Sequence, residues 1–114
     1  MALSFLQLFA SKQVNNVAVD TLFTVGASPT SNTLRNARVR FANTTATPAT
    51  IKVWAVPLGG TAVDANVCLP MVSIAANSYI DVDLPVLGAG GFVQAQAGAA
   101  SSITASILDG FIQS

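Results

Sequence analysis

Asp81 and Asp83, in the stretch YIDVDL, are the two groups in this chain best spaced to do chemistry together. On an alternating strand they share one face, about 7 Å apart from the strand rise. Two carboxylates so placed could hold a calcium ion or divide acid and base roles. The simpler expectation is that they face Arg38, Arg40 or Lys52 across a sheet, or solvate an outer face. Any acid–base chemistry would rest on Asp20, Asp64, Asp81, Asp83 or Asp109, because the chain has no His and no Glu. A Ser-His-Asp or Cys-His arrangement is therefore excluded, as are zinc sites built on His or on several Cys. The reading is of a protein that is not an enzyme, with no catalytic residue, metal site or cofactor expected.

Other groups are weaker. Trp54 falls on the polar side of its strand and, with Tyr79, could make a sugar-stacking platform; filling an interface or the far face of a two-sided strand is the plainer role. The GAGG of residues 88–91 lacks the Lys-Ser/Thr and the helix of a phosphate loop and reads as a turn. Asn43-Thr44-Thr45 is formally a glycosylation acceptor and reads as an exposed turn. Cys68 is the lone cysteine, in an apolar run with no basic neighbour, so it reads as a small buried hydrophobe.

The residues between these groups must be strands. Residues 34–56 carry two alternating runs, Ala37, Val39, Phe41 and Ile51, Val53, Ala55, around a polar loop at 43–50. This predicts a β-hairpin with Arg38, Arg40 and Lys52 on its outer side. Further strands are expected at 14–19, 21–25, 67–74, 79–84, 92–97 and 102–112. Pro70 marks the 67–74 run as an edge or bulged strand. Gly110 marks a bulge in the last one. Residues 26–32, 57–66, 75–78, 85–91 and 98–101 read as turns. About eight short strands with turns roughly every ten residues predict a single antiparallel β-sandwich, jelly-roll-like.

Composition narrows the function classes. The 114 residues are 52% hydrophobic and 9% charged, against roughly a quarter charged in a typical domain. Either contacts with other chains cover much of the surface, or Ser, Thr, Asn and Gln supply its polarity. All five cations lie at or before Lys52, opposed there only by Asp20, and the other four carboxylates follow. Five cations without interleaved aromatics are no nucleic-acid footprint. No apolar run has the length of a membrane span, and residues 1–10 lack the positive start of a signal peptide. Their apolar side chains, Leu3, Phe5, Leu6 and Phe9, are expected to dock on a neighbour. The domain division is a docking segment at 1–8 and a sandwich at 9–114.

Three stretches, FASKQVNNVAVDTLFTVGA, RVRFANTTATPATIKVWAVPLGGTA and IAANSYIDVDLPVLGAGGFVQAQAGAASSITASILDGFI, carry a resemblance covering about nine-tenths of the chain. Together they resemble a group of small bacteriophage virion structural proteins, β-sandwich modules of head-decoration or tail-fibre type. The chain departs from their pattern at Gly91-Phe92, where Gly-Asp is common, and in its first eight residues. The resemblance implies a capsid decoration (cement) protein, a homo-oligomer expected as a trimer, with the major capsid protein as partner. It would be located in the virion and assembled in the host cytoplasm. The alternative it implies is a tail or tail-fibre module binding a host glycan through Trp54 and Tyr79.

Overall fold

Alternation along β4 (Thr33–Asn43) buries Leu34, Ala37, Val39, Phe41 and Asn43 on one side. Along β5 (Ala49–Val56) it buries Ala49, Ile51 and Val53. These rows face each other from two sheets. The computed structural model describes the backbone of Leu3–Ser4 and residues 7–114. Phe5 and Leu6 lie outside the described residues, as do the side chains of Leu3 and Ser4.

The other strands are β1 (Leu3–Ser4), β2 (Lys12–Gln13), β3 (Asp20–Thr24), β6 (Val67–Ile74), β7 (Tyr79–Asp83), β8 (Leu87–Gly88), β9 (Phe92–Ala97) and β10 (Ile103–Gln113). In the first sheet β1 and β2 both pair with β10, β10 with β4, and β4 with both β7 and β8. The second sheet runs β3-β9-β5-β6. All pairings are antiparallel. Counting β1 with β2 and β7 with β8 as one position each, this is an eight-position jelly-roll sandwich.

The 34–56 stretch is not a hairpin. β4 and β5 belong to different sheets, and residues 44–48 carry the chain across the sandwich. Alternation names the buried face of a strand but not its neighbour, so both inner rows were legible and their pairing was not. Residues 14–19 do not form a strand either. The Asn15 carboxamide oxygen accepts from the backbone N–H of Val17 (2.8 Å) and of Ala18 (3.4 Å). That local turn displaces the ladder.

The strands expected at 21–25, 67–74, 79–84, 92–97 and 102–112 are present to within a residue or two, whereas residues 85–91, expected as a turn, include β8, whose Leu87 pairs with Leu34 of β4. Pro70 lies in β6, which is the edge of its sheet and slips register between Ile51 and Val53 of β5. Gly110 has φ 138° at a register shift of β10 on β4. A Cβ there would lie 3.1 Å from the Ala37 Cα, so the irregularity needs glycine. The small inner row Val93, Ala95 and Ala97 of β9 is buried, as are Ile103 and Ala105 of β10. Phe41 is the largest side chain with no exposed surface among the described residues.

Candidate functional site

The outer face of the β4/β7 ladder gathers most of the groups singled out from sequence. The register sets Arg38 opposite Asp83, Arg40 opposite Asp81 and Ala42 opposite Tyr79. Paired residues of an antiparallel ladder share a face. Arg38 Nε donates to Asp83 Oδ1 at 2.8 Å. Arg40 clamps Asp81 with two bonds, Nε to Oδ1 at 2.8 Å and Nη2 to Oδ2 at 3.1 Å. The Arg40 guanidinium also lies 4.0 Å from the Tyr79 ring centroid. The bond from Arg40 holds the Asp81 carboxyl below the usual carboxylate range. Both carboxylates are thus spent on guanidiniums, which neutralise this face.

Lys52 does not join them. It stands on the outer face of the other sheet, with Nζ 3.5 Å from Asp64 and 5.2 Å from the centre of the Trp54 ring. Trp54 and Tyr79 therefore lie on opposite sheets, in β5 and β7, and share no platform. Tyr79 is exposed, while Trp54 is only 6% exposed.

Trp54 Nε1 is buried without a hydrogen-bond partner. An orphaned buried donor costs about 1–3 kcal/mol. Trp54→Phe removes it, so urea unfolding should show stability unchanged to within about 1 kcal/mol, or raised. Trp54→Ala should cost about 3–5 kcal/mol. A Phe variant as damaged as the Ala variant would mean that the N–H is satisfied.

The segment expected to dock elsewhere is partly used within the chain. Backbone Leu3 and Ser4 pair with Gln113 and Ile112 of β10. Leu8 and Phe9 pack against the core, and Phe9 stacks on Phe23 with ring centroids 5.8 Å apart. Cys68 is half-buried, 3.8 Å from the Asp83 carbonyl, and burial pushes its thiol pKa up. Among the described residues no three His, Cys, Asp or Glu side chains come together.

Asn43 is the residue sequence reasoning placed wrongly. It is 2% exposed, so the formal glycosylation acceptor is no exposed turn. Its amide nitrogen donates toward Thr47 O (2.8 Å), Ile74 O (3.0 Å) and Ala75 O (3.3 Å). Its oxygen accepts from the Thr45 N–H (3.0 Å) and hydroxyl (2.7 Å). It ties the β4–β5 crossing to the end of β6. The only signal was an Asn at the end of an apolar row, just before a Thr- and Pro-containing loop.

Among the described residues, four ion pairs take up eight of the ten charged side chains, adding Lys12–Asp20 at 2.9 Å to those above, and leave Arg35 and Asp109. No family model, curated protein or solved structure matches the chain.

Proposed function

We propose that this protein is a non-enzymatic bacteriophage virion component, a capsid decoration (cement) subunit that binds and stabilises the head as a homo-oligomer. Besides the resemblance, one observation carries the reading. Nearly all the charge is cancelled within the chain, on a rigid two-sheet scaffold. What such a surface offers is neutral Thr, Ser, Asn and Ala loops, suited to contact area with other subunits rather than to catalysis or to a charged ligand. Jelly rolls recur in viral capsid proteins, an analogy of fold alone.

The partners are other copies of the chain and the major capsid protein. The docking segment is residues 1–8, although Leu3 and Ser4 also pair with β10 and Leu8 packs with Phe9 against the chain's own core. The test is to add purified protein to heads lacking it and count bound copies. The full chain should saturate the heads, and a variant lacking residues 1–8 should fold and fail to attach. Full occupancy by the truncated variant would refute the docking segment. Heads left bare by the full chain, or copurification with tails alone, would refute the decoration role.

A further inference from the structure

Among the described residues, the two charged side chains without an ion pair, Arg35 and Asp109, are opposite in sign and close in the ladder. Asp109 pairs in register with Arg38, and Phe111, two residues on, pairs with Arg35. Both are exposed. Between these rungs both strands are irregular, at Asn36 (φ 54°) and Gly110 (φ 138°). The result is an open depression of about 560 Å³, lined by Asn36, Arg38, Asp83, Val86 and Asp109 among others. Two exposed apolar side chains accompany it, Val86 on its wall and Leu108 beside Asp109 in the chain.

We infer that this patch is a contact between two copies of the chain, in which Arg35 of one copy pairs with Asp109 of the other. A two-fold contact brings a patch against itself, so residue i meets j and j meets i. A patch holding one unpaired cation and one unpaired anion is self-complementary under that operation. A two-fold axis lying in the contact plane between the two positions exchanges them and forms both pairs. A partner of one charge sign would satisfy only one of the two groups. Val86 and Leu108 add apolar area, and the Arg38–Asp83 pair at the rim resists wrong registers by like-charge repulsion.

The inference rests on the homo-oligomer proposed above, and it makes the pairing unit two-fold where a trimer was expected from sequence. The test is sedimentation equilibrium on the full chain up to about 1 mM. Arg35→Glu and Asp109→Lys should each loosen self-association about tenfold or more, and the combined variant should restore it to near wild type. About 1 M salt should weaken the wild-type contact. Unchanged singles, or a double variant as weak as the singles, overturn the contact. Thermal melts confirm that each variant is folded, and Leu108→Lys, which leaves both charges in place, should also loosen self-association. A monomeric wild type that still decorates heads overturns this contact and leaves the decoration role standing. Self-association that follows the charge swaps, with heads left bare, overturns the decoration role alone.

Discussion

Asn43→Ala is expected to destabilise the protein by about 3–5 kcal/mol, read from the urea midpoint at constant slope. The carboxamide makes contacts at both of its ends and joins three parts of the chain: its own loop, the end of β6 and the turn after it. Alanine leaves the Ile74 carbonyl, whose residue is 1% exposed, without this donor. A buried acceptor without a partner costs about 1–3 kcal/mol, and more than one group is orphaned here. Asn43→Asp should be no better, because a carboxylate would face carbonyl oxygens. A loss under about 1 kcal/mol would show that water reaches these carbonyls, and that the crossing is held by its other contacts.

Phe41→Ala is expected to cost about 3–5 kcal/mol, and Phe41→Leu less than about 1.5 kcal/mol. Phe41 pairs with Ala105 of β10 on one side and with Ile80 of β7 on the other, with none of its surface exposed. Its ring lies at the centre of a sheet whose neighbours are hydrogen-bonded on both sides, so the backbone has little freedom to close the gap. Equal costs for the two variants would mean that the sheets shift to fill the space.

What could be read from sequence was which side of each strand faces inward. Val39, Phe41, Val53, Ala95 and Ala105 all stand where alternation put them. Edge status was legible at Pro70, and the bulge at Gly110, because each residue restricts or frees the backbone in a specific way. Neighbour relations were not legible. The β4–β5 crossing looks like a hairpin loop because a polar loop between alternating runs serves either connection. Trp54 lies on the outward side as its position implied, yet it is buried. Alternation places a residue on a face without saying what covers that face. Asn43 was missed because its partners at Ile74 and Ala75 are 31 and 32 residues away. The carboxylate pair at Asp81 and Asp83 was legible as a pair, and its assignment to Arg40 and Arg38 rests on a register that only the fold supplies.

The placement of β2 against β10 has a kinetic consequence. Beyond their paired backbones, the Ser11 hydroxyl meets that of Ser106, 95 residues further on, at 3.2 Å. Among the described residues, β5 to β6 is the only connection between consecutive full-length strands that stays within one sheet. Little of the ladder can therefore form locally, and ring closure over long loops must precede the contacts that reward it. Such a chain belongs with the slow folders, in milliseconds to seconds. Its first sheet stays open at β10 until residues 103–113 have left the ribosome. A particle built from it would draw on a pool of finished subunits, with assembly waiting on folding rather than guiding it.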